Sequence, residues 1–247
     1  MIALQSGDSV AEIVPERGAL CSRLRLGGSE LLFMDAATLA DPQKNVRGGI
    51  PVLFPIAGKP PPDSALKQHG FARNAAWEPT LAGASRLECR LREPPRDGYP
   101  WETDALLAFT LSESALRLDF TLHNTGEEKQ PFQLGFHPYF AAADKAAARV
   151  ETQATRALDN RSGAEVTPRL DFSAGELDLS LLDHREAGTI FHSGAEEPVQ
   201  LSWSPEFSLL VLWTLPGRDF VCVEPWTARS LQLEPGETRS LSFEIAL

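Results

Sequence analysis

The sequence predicts an all-β protein, an antiparallel β-sandwich in which residues 1–247 form a single domain. Three observations lead to this fold class. Apolar and polar residues alternate with a period of two in several segments, short strand-like segments recur at regular intervals between turns, and crossover helices are almost missing. A length of 247 residues is ordinary for one all-β domain.

Residues 115–123 give the clearest strand signal. Leu116, Leu118, Phe120 and Leu122 share one face, and polar residues occupy the other. The pattern predicts a half-buried antiparallel strand, which residues 112–114 join to a preceding strand through a loop of hairpin length.

The other predicted strands are bounded by glycine, proline or charged turns. From the N-terminus they are 9–14, 19–26, 30–34 and 105–111, and toward the C-terminus 198–203, 207–214, 220–223, 230–233 and 239–246. Residues 141–148 have helical propensity but no amphipathic stripe, so we predict a loop there. The proline-rich segment 41–67 is the longest irregular stretch and is typical of a loop that builds a site on a sheet scaffold.

Composition narrows the possible functions. Hydrophobic residues make up 43% of the chain and charged residues 23%, and no apolar run has the length of a membrane span. The net charge of −11 argues against nucleic acid and anionic membranes as partners, although a local cationic pocket for a small anion stays open. The first residues lack a secretory signal pattern, so we expect a cytoplasmic protein. The three cysteines suit neither a disulfide framework nor a metal knuckle, and we expect them to be buried as small apolar residues.

Two residues that can transfer protons stand in apolar, aromatic segments. His137 lies in residues 135–140 (GFHPYF), and Glu224 lies in residues 221–226 (VCVEPW), where we expect it at the end of a strand facing a cleft. Burying such groups is costly, which favours an acid and a base in a sheltered pocket. The alternative to an acid–base role is that His137 is a hydrogen-bonded histidine of the core and that Glu224 is a solvated glutamate in a turn.

Further candidates for polar contacts lie in two glycine-containing segments. His69 and Arg73 belong to residues 68–73 (QHGFAR), and Arg47 begins residues 47–55 (RGGIPVLFP). The aromatic residues that could stack on a sugar ring, or simply pack in the core, are Trp226, Tyr139, Phe71 and Trp77. His69, His137 and Glu224 could also bind a metal ion. No HxxxH or HxD spacing in the sequence supports such a site, so we predict no metal.

Taken in chain order, the segments 47–55, 68–73, 135–140 and 223–226 resemble the motifs of the aldose 1-epimerase (galactose mutarotase-like) family, and the resemblance extends over nearly the whole chain. The resemblance implies a β-sandwich of the supersandwich type, no cofactor, and interconversion of the α and β anomers of an aldose. It further implies that His137 is the general acid and Glu224 the general base. His69, Arg47 and Arg73 would then bind substrate.

The resemblance leaves three points open. The family has a substrate-binding aspartate, for which Asp178 and Asp183 are both candidates. A related branch acts on hexose 6-phosphates, and the cations Arg47, Lys59, Lys67 and Arg73 could hold a phosphate. A different class of function, a non-catalytic carbohydrate-binding sandwich, would not need both members of the acid–base pair.

Overall fold

The structure is a computed structural model that describes residues 1–195 and 197–247. Its regular elements are nearly all strands. Up to residue 141 these are β1 (Ile2–Ser6), β2 (Ser9–Val14), β3 (Leu20–Leu26), β4 (Ser29–Glu30), β5 (Val52–Leu53), β6 (Glu78–Ala82), β7 (Arg86–Glu93), β8 (Thr103–Leu111), β9 (Ala115–His123), β10 (Gln130–Phe132), β11 (Gly135–Phe136) and β12 (Tyr139–Ala141).

The remaining strands continue to the C-terminus. They are β13 (Arg149–Val150), β14 (Ala157–Asp159), β15 (Ala164–Val166), β16 (Leu177–Leu181), β17 (Gly188–His192), β18 (Val199–Trp203), β19 (Leu209–Thr214), β20 (Phe220–Trp226), β21 (Leu231–Leu233) and β22 (Thr238–Ala246). The described helical elements are α1 (Ala36–Ala40) and the 3₁₀ turns Pro15–Arg17 and Ala72–Asn74.

Two eight-stranded antiparallel sheets form the body of the molecule. One has the strand order β13-β17-β18-β22-β9-β8-β7-β6. The other, which we call the site sheet, has the order β15-β14-β16-β19-β20-β11-β5, with β12 also paired to β20. Smaller sheets of four strands (β1 to β4) and two strands (β10 and β21) complete the fold. The predicted antiparallel β-sandwich is confirmed.

The core lies where the apolar faces of the two large sheets meet. Leu116, Leu118, Phe120 and Leu122 of β9 are all fully buried in it, as their alternation predicts. From the site sheet, Val221 and Val223 of β20 join the same cluster. Burying side chains of this size stabilises the fold by about 1.5–3 kcal/mol each.

Most predicted strands agree with the structure to within one or two residues, and the loop at residues 141–148 contains no helix. Two predictions are wrong in detail. Residues 30–34 were expected to form one strand, but β4 ends at Glu30 and only isolated bridges at Leu32 and Met34 follow. Glu224 was expected at a strand end, but β20 continues through Trp226, so the carboxylate projects from the interior of a strand.

The short helix α1 was not predicted. Asp35 caps it, because its carboxylate Oδ1 accepts hydrogen bonds from the backbone N–H groups of Ala37 (3.1 Å) and Thr38 (3.3 Å). Within the described residues, neither this helix nor the 3₁₀ turns have the length and apolar character needed to cross a bilayer.

Candidate active site

A cleft of about 620 Å³ opens over the site sheet, which is a size typical of small-molecule sites. Its floor is built by β16, β19 and β20, and its rim by the loops around residues 45–47, 57–59 and 68–73. The proline-rich segment 41–67 therefore contributes to a site, as predicted. All five predicted site residues, His137, Glu224, His69, Arg47 and Arg73, line this one cleft.

Strand β20 supplies the carboxylate. Because side chains alternate along a strand, Val221 and Val223 enter the core while Cys222, Glu224 and Trp226 project from the opposite face. The Glu224 side chain is only 1% exposed, and its Oε2 accepts a hydrogen bond from the Trp226 indole Nε1–H at 3.1 Å. The indole thus holds the carboxylate in place.

Gly135 explains how this indole is positioned. A Cβ added at Gly135 would lie 2.7 Å from the Cδ1 atom of Trp226. Any larger residue at this position of β11 would displace the indole. The glycine that opens the GFHPYF motif therefore supports the glutamate of the VEPW motif, although the two segments are far apart in the sequence.

His137 follows β11 and faces Glu224. Its backbone N–H donates to the Pro51 carbonyl at 3.0 Å, and its ring stacks on Tyr139 with centroids 4.7 Å apart and planes 7° apart. Its Nδ1 lies 3.4 Å from Oε1 of Glu224. The Trp213 ring packs nearly perpendicular to the imidazole, with the two ring centroids 5.7 Å apart. Aromatic packing therefore fixes the imidazole against the carboxylate.

Burial favours the uncharged forms of this pair. It raises the pKa of the Glu224 carboxyl well above its ordinary value, and the charge of Asp178 acts in the same direction. It lowers the pKa of the His137 imidazole well below its ordinary value, with further lowering from His69 and Arg73. The pair consequently keeps one proton in total over a wide pH range, on either the carboxyl or the imidazole.

His69 is held in an unusual backbone conformation with φ of 67°. Gly70 follows with φ of 68°, and a Cβ there would lie 2.1 Å from the Phe54 carbonyl oxygen. The His69 backbone N–H donates to the Gly58 carbonyl at 2.8 Å, and the Gly58 N–H donates to His69 Nδ1 at 3.1 Å. Since Nδ1 accepts, the proton of the neutral ring lies on Nε2, which faces the side-chain amide of Gln68 at 3.2 Å. Burial, with help from Arg73, lowers the pKa of His69 to about 3.

The two predicted arginines differ in their anchoring. Arg73 is half-buried, donates from Nη2 to the Gln68 carbonyl at 3.0 Å, and has a lowered pKa because it is desolvated. Arg47 is exposed at the rim, where its backbone is tied to α1 through Thr38 and Asp35. Both guanidinium groups can reach polar groups of a ligand in the cleft.

The structure also distinguishes the two candidate aspartates. Asp178 of β16 lies in the cleft wall and accepts a hydrogen bond from the Asn160 side chain at 2.7 Å. Asp183 lies outside the cleft lining, at a turn where it accepts from the backbone N–H groups of Thr155 and Arg156. Asp178 is therefore the aspartate that a ligand would meet.

The aromatic wall was only partly predicted. Tyr139 and Trp226 line the cleft. Phe71 instead packs against Phe54 and Tyr99, and the indole of Trp77 donates to a backbone carbonyl in the core. Trp213 was missed, because both faces of β19 are apolar and the alternation that would reveal its cleft-facing side is hidden.

Among the described residues, one group of three side chains brings metal-binding atoms together. His137, Cys222 and Glu224 place a nitrogen, a sulfur and an oxygen within 4.8 Å of one another. His69, the second histidine considered in the sequence, is not part of this group. All three cysteines are buried free thiols, as predicted.

Known proteins resemble this chain in sequence and in fold. The family model described as aldose 1-epimerase matches residues 1–246. A Cenchrus ciliaris protein named "Putative glucose-6-phosphate 1-epimerase" is 28% identical and aligns over 92% of this chain and 78% of its own length. The crystal structure of Slr1438 protein from Synechocystis sp. PCC 6803 is 31% identical, covers 99% of this chain and 94% of its own, and has a TM-score of 0.93. A galactose mutarotase-like protein from Lactobacillus casei, at 19% identity, shares the fold with a TM-score of 0.80 over 100% of this chain and 99% of its own.

The environment of His69 generates a prediction. We expect its ring to stay neutral, with the proton on Nε2, when the folded protein is titrated from pH 8 to about pH 5, because the pKa is lowered to about 3. The unfolded chain binds this proton near pH 6.5, so the contribution to the free energy of unfolding is complete above that pH. It is lost by about 1.4 kcal/mol for each pH unit between 6.5 and 3.

Nitrogen-15 chemical shifts of the imidazole report both the charge and the tautomer. A titration midpoint near 6.5 for His69, or a proton on Nδ1, would contradict the hydrogen bond from Gly58. A His69→Gln variant identifies the resonances.

Proposed function

Since this chain belongs to the aldose 1-epimerase family, we propose that it interconverts the α and β anomers of a hexose through the pair His137 and Glu224. The protein is an isomerase, and the family acts on sugars. The observation that carries the residue assignment is the 3.4 Å approach of His137 Nδ1 to Glu224 Oε1 inside the cleft.

The reaction needs one proton acceptor and one proton donor side by side. Glu224 removes the proton from the anomeric O1 hydroxyl while His137 protonates the ring oxygen O5, and the C1–O5 bond breaks to give the open-chain aldehyde. After rotation about the C1–C2 bond, the O5 hydroxyl attacks C1, and His137 takes the proton back from O5. Glu224 returns its proton to O1, so no proton is gained or lost over the cycle.

The geometry matches this demand, because O1 and O5 are bonded to the same carbon. A donor atom and an acceptor atom that lie 3.4 Å apart can address both oxygens at once. The pair holds one proton whether it stands as carboxyl and imidazole or as carboxylate and imidazolium, so the protein enters the cycle with the correct proton count. The sugar hydroxyls replace water around the charged form.

The other cleft residues bind and orient the sugar in this proposal. Neutral His69 can donate from Nε2 to a hydroxyl, and Asp178 can accept from another. Arg73 and Arg47 contribute guanidinium donors. Trp213 and Trp226 offer apolar faces to the C–H groups of the ring.

A non-catalytic carbohydrate-binding protein would not require this arrangement. Burying a carboxyl and an imidazole against each other costs several kcal/mol that a binding site has no reason to incur. The side chains of Glu224 and His137 are nevertheless only 1% and 9% exposed, respectively, at the base of the cleft. Their burial is understandable when both groups exchange protons with a bound substrate.

A hexose 6-phosphate is the second candidate substrate. Arg47 and Lys59 both line the cleft, and within the described part of the chain neither of them forms an ion pair. Two uncompensated cations at a rim suit a phosphate. The Cenchrus ciliaris relative carries glucose 6-phosphate in its name. Of the four cations named from the sequence, Lys67 lies outside the cleft lining.

We further propose that the protein works in the cytoplasm. Its three cysteines remain free thiols, which fits a reducing compartment.

Removal of either proton-transfer group should abolish most of the rate. We expect Glu224→Gln and His137→Asn each to slow mutarotation by about 10²- to 10⁴-fold, because positioned acid–base groups contribute on that scale. Polarimetry of freshly dissolved α-D-glucose and α-D-galactose measures the rate. Matched controls are Glu234→Gln and His123→Asn, which lie outside the cleft. Variants of the pair that are as active as wild type would refute the assignment.

The rate should be bell-shaped in pH, with a broad plateau. It rises on the acid limb as His137, whose pKa is lowered, gives up the second proton of the pair. It falls on the alkaline limb as the last proton leaves Glu224, whose pKa is raised.

Because burial first and then Asp178 raise the pKa of Glu224, Asp178→Asn should move the alkaline limb to lower pH. Initial rates corrected for buffer catalysis locate the limb. Asp183→Asn, outside the cleft, is the control. An alkaline limb that stays in place or rises in Asp178→Asn contradicts the proposed proton state.

The substrate is decided by comparing glucose, galactose and glucose 6-phosphate. We expect a higher kcat/KM for a free hexose. A reversed order, together with a KM for glucose 6-phosphate that rises in Lys59→Gln but not in Lys67→Gln, would establish the second candidate instead. No acceleration of any of these sugars by the wild-type protein would end the proposed function.

A further inference from the structure

Cys222 has no part in the proposed reaction, yet it lies beside both proton-transfer groups. We propose that His137, Cys222 and Glu224 form a binding site for a thiophilic divalent cation such as Zn²⁺, and that the bound cation inhibits the enzyme. The proposal that the cation binds is based on geometry alone. The proposal that it inhibits the enzyme rests on the proposed function.

The positions of the donor atoms suit a zinc ion. Imidazole nitrogen, cysteine sulfur and carboxylate oxygen ligands at about 2.0–2.3 Å from tetrahedral zinc lie about 3.3–3.8 Å from one another. The observed separation of His137 Nδ1 and Glu224 Oε1 is 3.4 Å, and all three donor atoms lie within 4.8 Å. A shift of the cysteine or histidine side chain by about 1 Å would complete the shell.

Strand pairing fixes the positions of these three residues relative to one another. Cys222 and Glu224 are two positions apart on β20 and therefore share the face of the sheet that carries the cleft. Cys222 is paired with Tyr139 of β12, and the His137 ring stacks on that tyrosine. Since β20 lies between β19 and β11 in the site sheet, two of the three ligands come from an internal strand.

A second observation also points to a ligand. The His137 side chain is 9% exposed, and its Nδ1 is buried without a hydrogen-bond partner among the described residues. Cys222 is fully buried, and across the same described residues its sulfur makes no hydrogen bond. A cation would engage both unpartnered atoms together with the Glu224 carboxylate. His137 and Glu224 line the cleft, through which the ion can enter.

The donor set selects the type of cation. One sulfur, one nitrogen and one oxygen donor favour Zn²⁺ or Cd²⁺ over Mg²⁺ and Ca²⁺, which prefer oxygen ligands. Coordination requires a thiolate and a carboxylate, so the protons of these groups pass to the buffer. A bound cation occupies Nδ1 and Oε1, and neither atom can then exchange a proton with O5 or O1 of a sugar.

The other two cysteines provide an internal control. The Cys21 sulfur donates to the Arg23 carbonyl at 3.4 Å, and Cys89 is buried on β7 within the apolar core. Neither belongs to a described cluster of metal-binding side chains. A variant of Cys89 therefore removes one buried thiol and leaves the proposed site intact.

The experiment titrates ZnCl₂ into chelator-washed wild-type protein, Cys222→Ala and Cys89→Ala, and follows mutarotation by polarimetry relative to the metal-free rate of each protein. We expect the wild type and Cys89→Ala to lose activity and to recover it on addition of EDTA. Cys222→Ala should need at least about tenfold more Zn²⁺, since losing even an outer-shell partner of a metal costs that much affinity. Cys222→Ser replaces Cys222→Ala if circular dichroism shows that the alanine variant is misfolded.

A readout independent of activity is the ultraviolet charge-transfer band of Cd²⁺ bound to a thiolate. We expect one equivalent of CdCl₂ to produce it in the wild type and Cys89→Ala, but not in the Cys222 variant. Equal Zn²⁺ sensitivity of all proteins, or a band that does not depend on Cys222, overturns the site. A Cys222-dependent band without loss of activity overturns inhibition. A band in a wild-type protein that turns over no sugar supports the site and rejects the proposed function.

Discussion

The contact between a buried carboxyl and a buried imidazole governs the organisation of this site. Neither Glu224 nor His137 is stable in such surroundings as an isolated ion, so each depends on the other and on the packing around them. Trp226 holds the carboxylate and Tyr139 supports the imidazole. Nearly every feature of the cleft floor can be understood as support for this pair.

The support extends to residues with no chemistry of their own. Gly135 leaves space for the indole that binds Glu224, and Gly70 lets the chain pass beneath the Phe54 carbonyl so that His69 enters the cleft. The segments 135–140 and 68–73 therefore combine a histidine with a glycine for a physical reason. The buried polar groups of the cleft need an aromatic or backbone neighbour at close range, and only glycine leaves enough room.

The sequence was sufficient for the fold class and for five residues that all line the cleft, which are His137, Glu224, His69, Arg47 and Arg73. Period-2 alternation predicted both ends of β9 correctly, because one face of this strand is apolar and the other is polar. The same reasoning missed Trp213 and placed Glu224 at a strand end, because β19 and β20 lie in the middle of the site sheet and carry apolar residues on both faces. The choice between Asp178 and Asp183, and the proximity of Cys222 to the pair, depend on contacts between strands that no local pattern encodes.

Strand β20 contributes core residues on one face and the Glu224 carboxylate on the other, with no spacer between them. Val221 and Val223 fill the interior of the sandwich, while Cys222 and Glu224 alternate with them toward the cleft. Any repacking that tilts this strand would therefore also change the 3.4 Å contact. Under the proposed mechanism, thermostability and turnover are coupled through this one strand, so a substitution of Val221 or Val223 that changes one of them is expected to change the other.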